Sequence, residues 1–267
     1  MNLVDKKYNF LKAVKTSNLA RLGRTHDGGY VVDLEAIKEC NTLITFGLGP
    51  DWSFELDYIN KNSEIDIYVY DHTVSSYPYI KEVIKYFRRF ITFRATFESV
   101  ANRVKYLLNF KNFLNHKNVN YFKEKITFPM ESKIDTDVDK VFSRVVKSGD
   151  VVLKCDIDGG EYNVIDGILK YSSRIKMLIF EFHLVDNNED NFYKAIKKIQ
   201  NHFDIIHIHG NNHFPKLDSG LPLILEITLI NKNFAPKNPE FIHNFPIQGL
   251  DHPNNPYKED LVFSFGG

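Results

Sequence analysis

Cysteine is scarce in this sequence, and no segment is apolar enough to cross a membrane. The 267 residues include only two cysteines, Cys40 and Cys155, too few for a disulfide framework or a four-cysteine zinc site. No stretch of 18 residues is continuously apolar, and charged side chains interrupt residues 1–14 where a signal peptide would have its apolar centre. We therefore expect a cytoplasmic protein without membrane insertion.

An excess of charge of one sign is also missing. The 34 lysines and arginines balance 34 aspartates and glutamates, so the overall charge predicts neither a nucleic acid nor an acidic membrane as partner. Residues 81–117 are basic and rich in Phe and Tyr. The spacing of their aromatic residues favours a helix with a solvated face, although some of these cations could instead hold the diphosphate of a nucleotide sugar.

Short apolar runs alternate with stretches of helical spacing along the chain. The runs rich in β-branched and aromatic residues are 42–46, 65–70, 151–155, 177–182, 205–208 and 223–230, with 120–127 as a weaker seventh. Helical spacing occurs in residues 53–60, 78–114, 161–169 and 191–203. This alternation predicts an α/β fold with a mostly parallel sheet. Only a loop separates the last two strands, so we expect them to pair antiparallel at one end of the sheet.

The chain shows no internal repeat and no linker of low complexity before about residue 231, so we expect one domain spanning residues 1–267. Within it, residues 1–40 form a lid or cap region, and Gly28 and Gly29 mark a hairpin or lid element. Residues 41–230 form the core that binds a cofactor. Residues 231–267, rich in Pro and Asn, form an extension that wraps the sheet.

The first candidate ligand loop follows the first predicted strand, where residues 46–51 read FGLGPD. Gly47 and Gly49 lack a Cβ and allow a ligand close to the backbone. Trp52 occupies the third glycine position of a dinucleotide fingerprint, which argues against a dinucleotide. Asp71 ends the next strand at the spacing from Gly49 at which a carboxylate binds a ribose diol. The pattern predicts a site for adenosine without a pyrophosphate, with an ordinary turn and a surface aspartate as the alternative.

The second candidate loop is residues 156–161 (DIDGGE), which follows the strand 151–155. Three carboxylates, those of Asp156, Asp158 and Glu161, surround two glycines there. Crowded carboxylates are costly unless a cation or a shared proton offsets their repulsion, and a helix N-terminus accounts for only one or two of them. This loop therefore predicts a cationic ligand or a metal ion, with a structural helix cap as the alternative.

The two loops resemble the FkbM-type S-adenosylmethionine-dependent methyltransferases, whose signature is Lys-x-Asp-x-Glu-Gly-x-Glu. Residues 154–161 read KCDIDGGE, with Asp158 where the family has Glu, and residues 47–49 (GLG) replace its acidic-glycine opening. The resemblance covers about residues 40–230 and includes Asp71 and residues 179–183 (IFEFH). Residues 24–30 (RTHDGGY) and 249–253 (GLDHP) resemble segments of relatives that act on sugars.

The resemblance implies a Rossmann-like sheet of seven strands, mostly parallel, with an antiparallel last strand and helices on both faces. It implies transfer of a methyl group from S-adenosylmethionine to a hydroxyl of a sugar or sugar nucleotide in surface-glycan biosynthesis. Gly47 and Gly49 would pass under the methionine part of the cofactor, Asp71 would hold its ribose, and Asp156 would lie near its amino or sulfonium end. The implied cofactor-binding residues are Phe46, Gly47, Gly49, Asp51, Phe54, Glu55, Asp71 and Asp156.

Methyl transfer to a hydroxyl requires a group that takes the acceptor's proton from within about 2.6–3.2 Å or through one water. His183 and Asp158 follow strands whose ends face the expected acceptor, and His209 lies at the end of the sixth strand, so these three are the candidate bases. A mechanism through a metal ion is the alternative. Mg²⁺ or Mn²⁺ would lower the pKa of the hydroxyl, and its candidate ligands are Asp156, Asp158, Glu181 and His183.

Two other functional classes stay open at this stage. A metal-dependent hydrolase would use Asp156, Asp158, His183 and His209 without an adenosyl cofactor. A binding module for an adenosyl compound or a nucleotide sugar would keep the fold without turnover. A homodimer is compatible with either.

Overall fold

A seven-stranded sheet forms the centre of the computed structural model, which describes residues 3–183 and 189–266. Its strands are β1 (Thr42–Phe46), β2 (Asp66–Tyr70), β3 (Val119–Phe122), β4 (Val151–Cys155), β5 (Ile175–Phe182), β6 (Phe203–Gly210) and β7 (Leu225–Asn231). Their spatial order is β3-β2-β1-β4-β5-β7-β6. The last strand, β7, runs antiparallel to both of its neighbours, and the pairs among β1 to β5 are parallel. The predicted fold class and the antiparallel end pair are confirmed.

Within the described residues, seven α-helices connect or cover the strands: α1 (Leu34–Lys38), α2 (Ser53–Lys61), α3 (Tyr77–Ile91), α4 (Phe97–Leu114), α5 (Val138–Arg144), α6 (Glu161–Leu169) and α7 (Glu189–Ile199). The single helix predicted over residues 78–114 is wrong. Phe93 adopts a left-handed φ of 55°, and the Thr96 hydroxyl caps the next helix by accepting from the Ser99 amide at 3.2 Å. These two features break the helical stretch into α3 and α4.

Both faces of the sheet are covered, as predicted. Along β1, Leu43 packs into an apolar cluster with Ile37 of α1 and Tyr58 of α2. The next residue, Ile44, packs on the opposite face with Ile165 of α6. Successive strand residues point to opposite faces, so a strand covered on both sides is apolar throughout. This is why the core strands appear in the sequence as mostly apolar runs, with buried polar residues such as Lys154 as exceptions.

The N-terminal hairpin, strands Leu19–Leu22 and Tyr30–Asp33, lies over one face of the sheet near the carboxyl ends of β4 and β5. The hydroxyl of Thr228 in β7 donates to the carbonyl of Val31 at 2.6 Å and fixes the hairpin there. Behind β6, the C-terminal residues after β7 bury three phenylalanines, Phe245, Phe263 and Phe265. Among the described residues, no helix combines the length and the apolar run needed to cross a bilayer.

Candidate functional site

The two glycine-containing loops touch at the point where the strand order reverses, between β1 and β4. Gly47 has a φ of 79°, and a Cβ there would lie 1.7 Å from the carbonyl oxygen of Asp156. The Asp156 amide in turn donates to the carbonyl of Phe46 at 2.9 Å. Only glycine permits this approach. The two motifs that the sequence singled out are therefore adjacent at the usual ligand position of an open parallel sheet.

Asp71 holds the first loop in place. Its Oδ2 accepts from the amides of Leu48 and Gly49, both at 2.9 Å, and its Oδ1 accepts from the amide and hydroxyl of Thr73, both at 2.7 Å. Burial by itself would raise the pKa of Asp71, but these hydrogen bonds lower it below its usual value. Above Gly49 (φ 63°), no described atom comes within 4 Å of a Cβ position. The fixed loop thus offers an open backbone surface to a ligand.

The other predicted cofactor residues mostly support this loop from beneath. Phe46, Phe54 and Glu55 are buried, with the Phe54 ring 5.5 Å from that of Tyr30. Asp51 lies at the start of α2, where its Oδ1 accepts from an amide of the first turn at 2.9 Å. Its other oxygen, Oδ2, is 2.8 Å from Nε of Arg24 in the N-terminal hairpin turn. Asp51 thereby joins the hairpin to the loop.

A buried lysine lies under the junction of the two loops. The Nζ of Lys154 is 3.5 Å from Glu55 Oε1 and donates to the carbonyl of Gly47 at 3.3 Å. Both side chains of this ion pair are nearly inaccessible to solvent. Burial would lower the pKa of Lys154, but the carboxylates of Glu55, Asp156 and Glu181 raise it above its usual value. The lysine stays charged and offsets part of the negative charge beside it.

Two acids of the second loop region share a tyrosine. The Tyr30 hydroxyl donates to Asp156 at 2.8 Å and lies 3.4 Å from Glu181, which also accepts from Asn211 Nδ2 at 2.9 Å. Burial raises the pKa of Asp156 although Lys154 opposes it, and burial together with the Asp156 charge raises the pKa of Glu181. The hairpin therefore contributes a proton donor to a group of acids that repel one another.

His183 completes this group. Its Nδ1 lies 3.0 Å from Glu161 Oε1, and this contact orients the ring so that Nε2 is 3.9 Å from Asp156 and 3.7 Å from Asp158. Ligand atoms of His183, Asp156 and Glu181 all lie within 4.8 Å of one another. Burial would lower the pKa of His183, but Glu161 and the neighbouring acids raise it to about 9. A histidine fixed through one nitrogen by a carboxylate, with the other nitrogen facing acids, is the usual arrangement of a metal-binding histidine.

The remaining predicted catalytic residues are placed differently. Asp158 has a fully exposed side chain and a φ of 52°, and it faces His183 from the rim. His209 is inaccessible to solvent between Glu226, 3.3 Å from its Nδ1, and Asp260, 3.1 Å from its Nε2. Both ring nitrogens are occupied, so the ring has no site to accept a substrate proton in this arrangement.

The placement of His209 makes a prediction about stability and pH. Burial would lower its pKa, but Asp260 and Glu226 raise it to about 10, above the unfolded value of about 6.5. Its contribution to folding is therefore complete below about pH 6.5 and is lost as the pH rises through 10. We expect deprotonation of His209 to lower the free energy of unfolding by up to about 1.4 kcal/mol for each unit that the pH rises between about pH 7 and 10. Urea unfolding at a series of pH values measures this change.

The matched control for this pH dependence is His209→Gln, which keeps a polar side chain but does not titrate. The difference between the two proteins isolates the histidine from lysines and tyrosines that titrate in the same range. Parallel pH profiles for the two proteins would contradict the role assigned to His209.

The sequence assigns no separate role to several residues of this site. Lys154 and Glu161 lie at the two ends of the quoted signature, and Glu161 is one of the three crowded acids, but their contacts are not visible in the sequence. Tyr30 lies far earlier in the chain than Asn211, which follows β6, and Glu226, which lies on β7. Only the sheet order brings them together, through the pairing of Glu181 and His209 with Glu226 across β7.

A cavity of about 540 Å³ lies near the amino end of β5 and not at this site. It is lined by Lys15, Asp33, Glu39 and Lys176 among others, and Lys176 forms an ion pair with Glu39. The ligand position of an open parallel sheet is at the carboxyl ends of the strands. We therefore place the candidate site at the two loops, where the acids and the histidine converge.

No protein-family model and no curated protein matches the chain. Solved structures with a similar fold include the fibrillarin pre-rRNA processing protein of Methanococcus jannaschii, at 10% identity and a TM-score of 0.40 over 74% of this chain and 69% of that one. Another is precorrin-6y C5,15-methyltransferase of Geobacter metallireducens GS-15, at 10% identity and a TM-score of 0.39 over 74% of this chain and 86% of that one. Similarity at this level is silent about substrate and activity, which have to be argued from the site.

Proposed function

We propose that this protein is an S-adenosylmethionine-dependent methyltransferase of the FkbM type that methylates a hydroxyl. One observation carries the proposal. The glycine loop after β1 and the acidic loop after β4 are in direct contact at the reversal of strand order, where a Cβ on Gly47 would lie 1.7 Å from the Asp156 carbonyl. These are the two motifs on which the resemblance rests, and they meet at the position where this class of sheet binds its ligand.

The charges around the junction suit a cationic donor without phosphates. Asp71 fixes the amides of Leu48 and Gly49 through its own carboxylate, so these donors are occupied and would not hold a pyrophosphate. Asp156 and Glu181 lie on the other side of the junction with one tyrosine between them. A sulfonium or an ammonium group there would relieve their mutual repulsion. In the proposed complex the adenosyl donor lies over Gly49 with its charged end toward Asp156.

The donor set at His183 also fits a divalent cation. Carboxylate oxygens with one imidazole suit Mg²⁺ or Mn²⁺, and three ligand atoms already lie within 4.8 Å of one another. A bound ion would polarise the acceptor hydroxyl and lower its pKa. With a pKa of about 9, His183 by itself carries a proton at neutral pH and is a poor general base. We therefore propose His183, Asp156 and Glu181 as ligands, with Asp158 at the rim as the residue nearest to an incoming acceptor.

We further propose that the acceptor is a sugar or a sugar nucleotide used for a surface glycan and methylated in the cytoplasm. The two segments that resemble relatives acting on sugars, residues 24–30 and 249–253, lie in contact, because His26 Nδ1 is 2.8 Å from the Pro253 carbonyl oxygen. Arg24 in the same turn pairs with Asp51 of the glycine loop. The segments therefore border the proposed donor site on the side from which an acceptor would enter.

A matched pair of glycine substitutions tests the donor site. Gly49 and Gly249 both have positive φ and open space at the Cβ position, so alanine causes a similar backbone strain of about 1–2 kcal/mol at each. Only Gly49 lies at the junction of the two loops, and Gly249 belongs to the segment proposed for the acceptor, so the two variants are compared by donor binding alone. We expect Gly49→Ala to weaken binding of S-adenosylhomocysteine at least about tenfold, a loss of about 1.4 kcal/mol, and Gly249→Ala to leave it unchanged, both measured by calorimetry.

The same titrations separate the rival functions. Tight binding of NAD, or equal affinity of both alanine variants for S-adenosylhomocysteine, would contradict the proposed donor site. If S-adenosylhomocysteine produces no heat while Mn²⁺ raises the melting temperature, the metal-dependent hydrolase becomes the better explanation. A protein that binds S-adenosylhomocysteine but releases none from S-adenosylmethionine with any sugar nucleotide would be a binding module.

A further inference from the structure

Helices α3 and α4 form a hairpin that exposes apolar side chains. None of the residues of α3, all of which the structure describes, is buried. Ile80, Ile84, Phe87 and Ile91 follow one another at intervals of four, three and four residues, so they share one helix face, and they are 36–60% exposed. At the tip between the helices, Phe93 is 98% exposed. We call this stripe, together with Phe93, the α3–α4 apolar surface.

The same hairpin concentrates positive charge. Residues 77–114 contain eight basic and two acidic side chains, a net charge of +6 in a chain whose total is zero. Arg88, Arg89 and Arg94 line an open cavity of about 530 Å³ at the tip, beside Phe93. A strongly apolar helix face bordered by lysine and arginine is typical of helices that lie in a membrane interface, with the apolar side toward the acyl chains.

Charge decides between the possible occupants of the surface. A second copy of this chain, docked about a two-fold axis, would bring two surfaces of +6 together, since such an interface uses the same patch on both subunits. Single-stranded nucleic acid would suit the charge and could stack on exposed rings such as Phe93 and Phe97, but it would leave the three isoleucines of the stripe exposed to water. A surface that is both apolar and negatively charged at its boundary satisfies both features, and an anionic lipid bilayer has this character.

The base of the hairpin is firmly joined to the rest of the protein. The Trp52 ring lies 5.3 Å from that of Phe110, and the Tyr106 hydroxyl donates to the Pro50 carbonyl at 2.9 Å. On α3, the Tyr79 ring is 4.7 Å from Phe110. These contacts join the base of the hairpin to the glycine loop. Toward the tip, the ring contacts of the described residues lie within the hairpin itself, with the Phe90 ring 6.1 Å from that of Phe97 and Arg89 5.5 Å from the Tyr86 ring.

We propose that the α3–α4 apolar surface docks this protein on an anionic lipid bilayer. Phe93 and the isoleucine stripe enter the boundary between headgroups and acyl chains, and the three arginines at the tip bind lipid phosphates. Each basic side chain near such a surface strengthens binding, and the attraction fades within a Debye length. Docking should therefore need anionic lipid and should weaken at high salt.

Vesicle cosedimentation with the full chain tests this directly. We expect binding to vesicles of phosphatidylcholine with 30% phosphatidylglycerol, and at least about tenfold weaker binding to phosphatidylcholine alone. The triple variant Arg88→Glu, Arg89→Glu, Arg94→Glu should reduce the partition coefficient at least about 100-fold. Its control is Lys133→Glu, Lys194→Glu, Lys237→Glu, which changes the total charge equally at exposed lysines outside the hairpin and should retain most of the binding.

A second pair of variants tests the apolar contribution. Phe93→Ser removes the exposed ring at the tip, and Tyr257→Ser removes a ring that is 94% exposed elsewhere. Only the first should reduce vesicle binding, by about tenfold, because the transfer of an exposed phenyl ring from water into the interface favours the bound state. Circular dichroism checks that each variant is folded.

Three results would overturn the proposal. The first is equal binding to neutral and anionic vesicles, or equal loss in the two charge variants. The second is a dimer in analytical ultracentrifugation that Phe93→Ser dissociates, which would assign the surface to a second copy. The third is displacement from anionic vesicles by single-stranded RNA with a higher affinity than for lipid, which would assign it to nucleic acid.

Discussion

Replacing Lys154 with methionine is expected to lower the free energy of unfolding by about 3–5 kcal/mol. The lysine is buried under the two loops, and its partner Glu55 is inaccessible to solvent. Methionine fills a similar volume, so the loss comes from charge and not from a cavity. Without Lys154, Glu55 is a buried and poorly compensated anion, and the donor that it retains among the described residues is the Thr45 hydroxyl, at 3.0 Å. Urea denaturation followed by circular dichroism measures the change.

A double variant and an exposed pair serve as controls for this effect. Adding Glu55→Gln to Lys154→Met removes the uncompensated anion, so the double variant should be more stable than Lys154→Met alone. Lys170→Met breaks the ion pair between Lys170 and Asp139, two side chains that are both at least half exposed, and should lower the free energy of unfolding far less than Lys154→Met does. Two results would contradict this role of the ion pair. The first is a loss of unfolding free energy in Lys154→Met as small as that in Lys170→Met. The second is a loss in the double variant equal to the sum of the losses in Lys154→Met and Glu55→Gln measured separately.

The second large effect is expected at His183. With an accepted sugar nucleotide, His183→Ala should lower kcat by about 10² to 10⁴, the range for loss of assistance to deprotonation of the acceptor hydroxyl, which His183 would give as a ligand of a bound ion, while the affinity for S-adenosylhomocysteine changes less than twofold. The release of S-adenosylhomocysteine measures turnover, and calorimetry measures binding. His213→Ala, at an exposed histidine, is the control and should be active.

Metal and base roles of His183 lead to different results. If His183 is a metal ligand, Glu161 orients it through the contact with Nδ1. Glu161→Gln should then weaken Mn²⁺ binding about 10- to 100-fold. Electron paramagnetic resonance detects this change without any acceptor. A general base would leave Mn²⁺ binding unchanged in Glu161→Gln and would make the pH profile of kcat flatter in His183→Ala. Near-normal turnover of His183→Ala would exclude both roles.

The strands could be predicted from the sequence because the sheet is covered on both faces, so that residues on both sides of a strand are apolar. The predicted runs 42–46 and 151–155 coincide with β1 and β4, since every residue of these strands is buried. The third strand, β3, was the weakest prediction, and it is the edge strand with mostly half-exposed residues. The prediction of one helix over residues 78–114 is wrong at Phe93, which has a left-handed backbone conformation although it is not a glycine. The spacing of apolar residues does not reveal such a break.

The candidate site was only partly visible for a related reason. Residues adjacent in sequence, such as Asp156 and Glu161, formed a recognisable group of acids. Lys154 belongs to a strand that the sequence predicts to be buried, and its partner Glu55 lies on α2, almost 100 positions earlier. The sequence alone therefore does not reveal that the two side chains form an ion pair. Total charge likewise concealed the +6 of the α3–α4 hairpin, because the rest of the chain carries the opposite excess.

The sequence by itself determined the class of fold, the two loops at the strand ends and the resemblance that connects them, since these depend on periodicity and short spacing along the chain. The tertiary structure decided which acids face one another, that Tyr30 and Lys154 lie among them, that His209 is enclosed by Glu226 and Asp260, and that an apolar helix face is exposed. Those facts depend on strand order and on the packing of distant segments. Contacts across a sheet leave no periodic signal in the chain, and burial is a property of the whole molecule.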